Sequence, residues 1–282
     1  MGEILYGKPV AAAIWDQISK RLEKLQENGI QPCLSIIRMG QDESAVSYEN
    51  SIVRRFEKAG IGVGSEVLSQ NAEESELIKL VERVNMDNSV HGCMILRPLP
   101  KHIDEFRVLE KLSAAKDVDC VGRMALGGVF SGRGEYFCPC TAEACVKMLD
   151  FYNVPVKGAR IAVIGRSLVV GKPLSVMLQQ RDATVTMCHS KTPDIAGICR
   201  EQDIVISATG RLGLVDENFT NPRQVILDVG IDPDKDGNIH GDVKFESVKD
   251  IVKALSPVPA GVGSVTTAVL AEHLVTAAER YL

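Results

Sequence analysis

The chain has 282 residues, of which 45% are hydrophobic and 24% are charged, a composition that is typical of a folded globular protein and argues against disorder, collagen and coiled coil. Its 32 basic residues are outnumbered by 37 acidic ones, which gives a net charge of -5, and no basic run predicts a surface for nucleic acid or an anionic membrane. No segment approaches the roughly 20 apolar residues of a membrane-spanning helix, so we expect a cytoplasmic protein with a small-molecule partner.

The eight cysteines predict neither disulfides nor a metal site. Cys33, Cys93 and Cys188 lie within or at the ends of apolar, strand-like runs, so we interpret them as reduced, buried side chains. Three others, which are close together in the sequence, are Cys138, Cys140 and Cys145. They lack the paired spacing and the nearby histidine of a zinc site, so we expect no metal.

The first half of the chain alternates helical and strand patterns. Apolar residues recur at helical spacing over 14–25 and again over 77–84, whereas CLSIIRM (33–39) and GCMILRP (92–98) are short apolar runs typical of buried strands. This alternation predicts an α/β domain in which helices cover a parallel sheet.

A change of domain is expected after the glycine-rich segment 120–138, which lacks regular periodicity and is predicted to be a linker. We expect Thr141 to cap the helix that follows. Four short runs rich in branched residues then resemble the strands of a doubly wound nucleotide-binding domain, and they are RIAVIG (160–165), ATVTMC (183–188), DIVISAT (203–209) and QVILDVG (224–230). The predicted N-terminal α/β domain is 1–138, completed by a C-terminal helix (263–282), and the predicted Rossmann-like, doubly wound parallel-sheet domain is 139–262.

The first strand of the second domain runs into GRSLVVGKP (165–173) and then into a helix-like segment. Glycine at the junction of a strand with a helix lets the backbone approach a pyrophosphate, and the N–H groups of the helix N-terminus attract anions. The complete G-x-G-x-x-G pattern is absent, because only Gly165 and Gly171 are present. On spacing alone, a nucleotide site and an ordinary strand-to-helix turn both remain open.

The next strand bears on which dinucleotide would bind. NAD-selective sites carry a carboxylate about 20 residues further on, which binds the ribose 2′-hydroxyl, whereas here that strand ends in Cys188, His189, Ser190 and Lys191. With Arg166 in the preceding loop, this arrangement favours the 2′-phosphate of NADP. The alternative is that Arg166 and Lys191 are solvated surface charges.

Nine motifs occur in a fixed order along the chain, and they are GQDESAVSYENS, PLPKHID, KDVD, GRSLVVGKPLSVML, ATVTMCHSKT, DIVISATG, ILDVGID, GDV and PAGVGSVTTAVL. Together they resemble the bifunctional methylenetetrahydrofolate dehydrogenase/cyclohydrolase family over essentially the whole length. The resemblance implies two domains around a cleft, NADP on the C-terminal domain, tetrahydrofolate derivatives entering from the N-terminal side, and a homodimer. It also implies an oxidoreductase and hydrolase of one-carbon metabolism and purine biosynthesis.

The same resemblance implies site residues on both domains. Those expected to contact NADP are Gly165, Arg166, Ser167, Ser190, Ile231 and Thr266, and those expected to contact folate are Tyr48, Asp119, Pro259 and Gly263. A pterin ring offers a face for stacking and an edge of N–H donors, which suits Tyr48 and Asp119, the expected catalytic residues. By residue type alone, Tyr48 could equally be a side chain at the edge of the core, and Asp119 could end a turn.

The chain departs from the family pattern at two polar positions. Where the family has a lysine four residues after the tyrosine, this chain has Ile52, and where it has a glutamine before the PLP motif, this chain has Leu96. Isoleucine cannot orient a water or move its proton, as an ammonium group can. The two changes fit together, because replacing both partners of a buried polar pair costs less than removing one. Arg55 and Arg97 are candidate substitutes, although a guanidinium is a poor proton shuttle. A smaller departure is Ala260, where the family has a glycine.

We therefore predict an NADP-dependent methylenetetrahydrofolate dehydrogenase in which the cyclohydrolase half-reaction is lost or weak. Hydride transfer needs the reacting carbons held close together, whereas hydrolysis needs an activated water, and losing acid–base help costs roughly 10²- to 10⁴-fold. The alternative is a folate- or nucleotide-binding paralogue without catalysis, which acts as a partner or regulator of another enzyme. A third reading is an oxidoreductase for a different substrate, suggested by Arg97.

Overall fold

A computed structural model describes residues 2–134, 136–233 and 239–282 of the chain. Its strands are β1 (Glu3–Ile4), β2 (Cys33–Met39), β3 (Gly62–Leu68), β4 (Gly92–Ile95), β5 (Arg160–Ile164), β6 (Thr184–Cys188), β7 (Ile204–Ser207), β8 (Val225–Asp228), β9 (Asp232–Pro233), β10 (Ile239–His240) and β11 (Ala254–Leu255). Its α-helices are α1 (Gly7–Glu27), α2 (Glu43–Lys58), α3 (Glu74–Met86), α4 (Glu105–Leu109), α5 (Arg123–Ser131), α6 (Cys140–Phe151), α7 (Gly171–Gln179), α8 (Ile195–Arg200), α9 (Phe245–Val248) and α10 (Gly263–Ala278). Short 3₁₀ turns occupy Glu217–Phe219 and Glu279–Tyr281.

The chain divides into two compact units, each of which is built from two separate segments. Unit 1 comprises Met1–Ala13 and Pro139–Val269, and unit 2 comprises Ile14–Cys138 and Leu270–Leu282. The divisions fall within α1 and α10, so each of these helices contributes residues to both units. No helix in the described ranges is long and apolar enough to cross a membrane.

Unit 1 contains a six-stranded sheet with the order β1-β11-β8-β7-β5-β6, in which every pairing is parallel. β5 lies between β6 and β7, so the winding reverses at β5, as in a doubly wound fold. The inner strands are mostly apolar, and β7 and β8 are buried at every residue, as expected of a sheet covered on both faces. The predicted α/β class with a doubly wound parallel sheet is confirmed.

The first strand lies in a different unit from the one expected, because the sequence predicted that residues 1–138 belong to the N-terminal domain. Glu3 pairs with Ala254, and Ile4 pairs with Leu255, so β1 is the edge strand of the unit 1 sheet. A strand of two residues carries too little periodicity to be recognised in the sequence.

Unit 2 contains a three-stranded parallel sheet with the order β3-β2-β4. The apolar face of α3 packs with β2 and β4 in one core cluster, which includes Ile37, Leu77, Val81 and Ile95. β2 and β4 lie within the apolar runs that were predicted to be strands. β3 is partly exposed along its length and has no such run. As a result, only the two buried strands of this sheet could be recognised from their composition.

The segment 120–138 was expected to be a linker, but it contains the helix α5. Three of the helix residues, Ala125, Gly128 and Val129, are buried, and Gly132 ends the helix at a φ of +63°, the left-handed conformation that favours glycine. The expected cap of the next helix was also wrong. That helix begins at Cys140 after Pro139, which places Thr141 inside its first turn.

Candidate functional site

A cavity of about 280 Å³ lies at the carboxyl ends of β5, β6 and β7 in unit 1. These three strands surround the point at which the strand order reverses, which is where open α/β sheets bind ligands. Its lining residues come from the loops after the three strands and from nearby helices, and they are Ile164, Gly165, Arg166, Ser167, His189, Ser190, Ile195, Ala208, Thr209, Arg211 and Leu214. The cavity therefore collects four of the six residues expected to contact NADP.

The turn between β5 and α7 is closely packed on both sides. Gly165 has a φ of +122°, and a Cβ there would lie 2.4 Å from the carbonyl oxygen of Ala208. A Cβ at Gly171 would lie 2.1 Å from the carbonyl oxygen of Gly165. Only glycine fits at these two positions. The hydroxyl of Ser167 accepts a hydrogen bond from the N–H of Val170 (3.1 Å), just before the helix begins.

The loop after β6 presents Ser190 to the cavity on a tight turn. The N–H of His189 donates to the hydroxyl of Thr192 (3.0 Å), and the N–H of Lys191 donates to Nδ1 of His189 (3.2 Å). Ser190 is exposed between these two bonds. Lys191, which was predicted together with Arg166 to favour a 2′-phosphate, is exposed and is not among the residues that line the cavity.

The cavity carries positive charge. Arg166 and Arg211 both line it, and no carboxylate is found among its described lining residues. This lining suits an anionic, phosphorylated ligand. Arg211 was not among the residues predicted from the sequence. The general rule that ligands bind beyond the carboxyl ends of parallel strands would have indicated it, because it follows the predicted strand DIVISAT.

The remaining residues predicted for unit 1 lie outside that cavity lining. Gly263 is the first residue of α10, and a Cβ there would lie 3.7 Å from Cδ1 of the exposed Ile231, so these two residues adjoin. Thr266 lies in the first turn of the same helix. Pro259 is exposed and follows a cis peptide bond. Next to it, Ala260 has a φ of +82°, a conformation that is strained for any residue with a Cβ.

In unit 2, the helix α2 carries Tyr48 and Ile52 one turn apart. The helix begins after Asp42, whose side chain accepts a hydrogen bond from the N–H of Ala45 (3.0 Å). Tyr48 is 37% exposed, whereas Ile52 is 0% exposed. Leu96 directly follows β4 and is 7% exposed. The structure therefore places two buried alkyl side chains where the resemblance implies a lysine and a glutamine.

Glu49, which follows Tyr48 in the sequence, forms a buried ion pair with Arg38 that was not predicted from the sequence. Nε of Arg38, at the end of β2, lies 2.6 Å from Oε2 of Glu49, and the two side chains are only 9% and 7% exposed. The guanidinium of Arg38 also donates to the carbonyl oxygen of Gly40 and to Oε1 of Gln41. Arg38 thus connects the end of β2, the following loop and α2. Its only signal in the sequence is a charged residue within an apolar run.

Asp119 lies in a short loop whose shape is set by Asp117. The carboxylate of Asp117 is buried, and it accepts hydrogen bonds from the N–H groups of Val121 (3.0 Å) and Gly122 (2.8 Å). Burial raises the pKa of Asp117, and the two N–H bonds act in the opposite direction. Cys120 has a φ of +54°. The loop is therefore a strained turn that the Asp117 carboxylate holds closed around Asp119.

The two arginines considered as substitutes for the missing lysine have different surroundings. Nη1 of Arg97 lies 3.3 Å from Oε1 of Glu105, and the Arg97 side chain is largely buried. Arg55 is exposed on α2. The guanidinium of Arg97 thus already has a carboxylate partner.

None of the eight cysteines, all of which lie in the described ranges, forms a disulfide, and six of them are buried. Burial raises the pKa of the Cys93 thiol to about 12, so this group is protonated and inert at neutral pH. Cys33, which was expected to be buried, is partly exposed. Across the described ranges, no group of three or more His, Cys, Asp and Glu side chains is arranged to hold a metal ion.

The doubly wound sheet and its positively charged cavity are those of a dinucleotide-binding α/β protein. Residues 5–119 match the sequence model of the tetrahydrofolate dehydrogenase/cyclohydrolase catalytic domain, and residues 139–282 match that of the tetrahydrofolate dehydrogenase/cyclohydrolase NAD(P)-binding domain. The chain is also 44% identical over 280 residues to the bifunctional protein FolD of Clostridium botulinum (strain Langeland), and the match covers 99% of each chain. The chain belongs to the tetrahydrofolate dehydrogenase/cyclohydrolase family, which confirms the resemblance seen in the sequence.

Solved structures agree with this assignment. The bifunctional methylenetetrahydrofolate dehydrogenase/cyclohydrolase FolD of Campylobacter jejuni is 34% identical to this chain, with a TM-score of 0.97 and full coverage of both chains. The Trypanosoma brucei methylenetetrahydrofolate dehydrogenase-cyclohydrolase, solved in complex with NADP and an inhibitor, is 33% identical, with a TM-score of 0.93 and coverage of 99% of this chain and 98% of that one.

Proposed function

We propose that the chain is an NADP-dependent methylenetetrahydrofolate dehydrogenase whose cyclohydrolase half-reaction is lost or weak. The loss of the cyclohydrolase half-reaction is inferred from Ile52. This side chain is 0% exposed on α2, at the position where members of the family have a lysine. An alkyl side chain at this position has no proton to give and no charge with which to orient a water.

The cavity in unit 1 fits the dinucleotide. The turn at Gly165 and the N-terminus of α7 would hold the phosphates, since the glycine allows close backbone approach and the positive end of the helix dipole attracts anions. Arg166 and Ser190 would hold the 2′-phosphate, and Arg211 adds positive charge to the same lining. NADP in the Trypanosoma brucei relative supports this choice of coenzyme. A bound nicotinamide supplies the hydride acceptor, while the chain positions the reactants.

The folate side of the reaction is assigned to Tyr48 and Asp119, both in unit 2. The partly exposed ring of Tyr48 has a face on which a pterin can stack, and the carboxylate of Asp119 can accept from pterin N–H groups. Because the Asp117 bonds fix the loop of Asp119, its carboxylate is positioned before the substrate arrives. Positioning of this kind is what hydride transfer requires from the protein.

Hydrolysis of the methenyl bridge lacks a proton carrier in this proposal. Ile52 and Leu96 are both buried alkyl side chains, and the nearby guanidinium of Arg97 pairs with Glu105. A guanidinium also stays protonated at any ordinary pH, so it cannot act as a base. We expect hydrolysis to be slower than in a lysine-containing relative by roughly 10²- to 10⁴-fold.

Two assays on the purified chain test the proposal. Nicotinamide reduction is followed by absorbance after methylenetetrahydrofolate is added with NADP or with NAD, and we expect reduction with NADP in preference to NAD. Loss of methenyltetrahydrofolate is followed separately and compared with the rate in buffer. Hydrolysis well above the buffer rate would refute the loss of the second activity. A sample that binds folate and NADP but reduces neither coenzyme would instead be the non-catalytic paralogue.

A restored pair provides the sharper test. The double variant Ile52→Lys/Leu96→Gln is expected to gain hydrolysis, because it returns an ammonium and its hydrogen-bonding partner to the site. The matched control is Ile52→Met/Leu96→Gln, which supplies a long unbranched side chain without the charge and is expected to gain nothing. Equal hydrolysis by both variants would show that side-chain length, and not the proton carrier, limits the reaction.

We also propose that the chain forms a homodimer, as the family resemblance implies. Sedimentation of the purified protein at two concentrations measures its mass directly, and a monomer at both would contradict this part of the proposal.

A further inference from the structure

Asp242, in the GDV motif, is a fully buried carboxylate in unit 1 that the proposed reaction does not use. Its Oδ2 accepts hydrogen bonds from the hydroxyl of Ser207 (2.7 Å) and from the N–H of Thr209 (2.7 Å). Its Oδ1 accepts from the N–H of Arg211 (2.9 Å). All three donors lie within 207–211, the loop at the carboxyl end of β7. One side chain thus fixes this loop at three points.

The loop 207–211 forms one wall of the dinucleotide cavity, through Ala208, Thr209 and Arg211. Two of its three bonds to Asp242 come from main-chain N–H groups, so the carboxylate holds the course of the backbone itself. Hydrogen bonds to a charged acceptor are stronger than neutral ones. The position of Arg211 at the cavity therefore depends on a residue that follows it by 31 positions in the sequence.

The same loop packs against the turn that would hold the phosphates. The N–H of Ala208 donates to the carbonyl oxygen of Ile164 (2.8 Å), and its own carbonyl oxygen lies 2.4 Å from the place a Cβ at Gly165 would occupy. Because there is no space between the two backbones, a shift of 207–211 would displace Gly165. Asp242 thereby acts on two walls of the cavity.

A second buried carboxylate holds Asp242 in place. Oδ1 of Asp228, at the end of β8, accepts from the N–H of Asp242 (3.0 Å), and its Oδ2 accepts from the N–H of Val243 (3.0 Å). A Cβ at Gly230 would lie 2.0 Å from Oδ1 of Asp242, and a Cβ at Gly241 would lie 1.9 Å from Oδ2 of Asp228. Glycine is required at both positions so that the two carboxylates can reach the backbone.

We propose that Asp242 is a positioning residue for the dinucleotide cavity, which it shapes by fixing the loop 207–211 against the turn at Gly165. The inference rests on the proposed NADP-dependent function and assigns to the GDV motif a role in coenzyme affinity. Since Asp242 is buried beneath the loop, it acts through Thr209, Arg211 and Gly165. Its loss is expected to weaken the coenzyme complex while leaving the folate side of the reaction unchanged.

The principal variant is Asp242→Asn, which keeps the size of the side chain but replaces one acceptor oxygen by an N–H donor. NADP affinity, measured by titration of the free protein, is expected to fall by about 10-fold, the effect of losing one hydrogen bond to a charged group. The KM for NADP should rise in parallel, whereas the KM for methylenetetrahydrofolate and the kcat at saturating NADP should stay at the wild-type values. Amide hydrogen exchange should show lost protection at Thr209 and Arg211.

Asp203→Asn is the matched control. Asp203 immediately precedes β7, and its carboxylate accepts a hydrogen bond from the N–H of Arg160 (2.8 Å) at the amino ends of the strands, away from the cavity. The control is expected to keep wild-type NADP affinity. Ser207→Ala is a milder second variant, which removes one donor to Asp242 and should weaken NADP binding by a smaller factor in the same direction.

The outcomes separate this inference from the proposed function. If the folded Asp242→Asn and Ser207→Ala variants keep wild-type NADP affinity and amide protection, the positioning role is wrong. It is also wrong if both KM values and kcat change together, because that result indicates a general structural defect. If Asp242→Asn does not fold, Ser207→Ala decides by the same measurements. If the wild-type chain itself fails to bind NADP, the proposed function fails, whereas amide protection at Thr209 and Arg211 still decides whether Asp242 holds the loop.

Discussion

The buried pair of Arg38 and Glu49 offers a quantitative test of how the helix carrying Tyr48 is held. The two side chains approach to 2.6 Å at exposures of 9% and 7%, so neither charge can be solvated if its partner is removed. Breaking a buried pair from one side typically costs about 3–5 kcal/mol, whereas replacing both partners by apolar residues is often neutral or stabilising. We therefore expect Arg38→Leu and Glu49→Leu each to destabilise the fold strongly, and the double variant to recover most of the loss.

The size of the effect is large relative to the stability of a typical folded chain, which is about 5–15 kcal/mol. Each single variant should lower the melting temperature on the order of 10 °C. The assay is urea unfolding followed by tryptophan fluorescence. Trp15 is the one tryptophan of the chain, and its ring lies 6.2 Å from that of Phe56 on α2, so its emission reports on this helix.

A double-mutant cycle gives the coupling between the two residues directly. Arg83→Leu is the control, because Arg83 forms an exposed pair with Glu66 in the same unit (66% and 42% exposed), and exposed pairs contribute little. If the effects of Arg38→Leu and Glu49→Leu simply add in the double variant, the two charges are not coupled, and the argument from burial is wrong.

Four further predictions concern single positions. Ala260→Gly should raise the free energy of unfolding by about 1 kcal/mol, because it relieves a φ of +82°; a lower melting temperature would contradict it. Gly165→Ala should weaken NADP binding by at least about 10-fold, since its Cβ would meet Ala208, and unchanged titration curves would count against the cavity as the coenzyme site. Asp117→Asn should raise the KM for methylenetetrahydrofolate about 10-fold without changing that for NADP, and equal changes in both would show a general defect. Burial raises the pKa of Asp228 from 3.8 to about 7, so its contribution to stability is present below pH ~4 and is lost as the pH rises through ~7. The free energy of unfolding, measured at several pH values, should therefore decline more steeply in the wild type than in Asp228→Asn, and equal slopes would contradict this.

Most of the sheet framework could be predicted from the sequence, because buried parallel strands are continuous apolar runs. CLSIIRM coincides with β2 at both ends, and the runs in the second half contain β5 to β8. The elements that were missed have weaker patterns. β1 has two residues, β3 is partly exposed, and the glycines of α5 concealed a helix whose buried face includes Gly128, where a Cβ would strike the ring of Tyr136.

The candidate site could be predicted only where its residues are close together in the sequence. The turn at Gly165 and the loop at Ser190 follow recognisable strands, and the structure brings them to one cavity. Asp242 could not be connected to that cavity from the sequence, since its three donors precede it by 31 to 35 residues. The Arg38 and Glu49 pair was hidden for a related reason, because periodicity shows that a residue is buried but not which partner satisfies its charge.

The pairing of β1 with β11 has a consequence for the order in which the chain can fold during synthesis. Glu3 leaves the ribosome early, but its partner Ala254 is made near the end, and the two contribute to one sheet. Unit 2 also depends on residues that are made last. His273 bonds to the carbonyl oxygen of Val118 (2.8 Å), and Leu274 packs against Gly92. Contacts that join such distant parts of a chain slow folding. A nascent chain halted midway through its second half would therefore carry two incomplete cores, and neither could close until the last helix emerged.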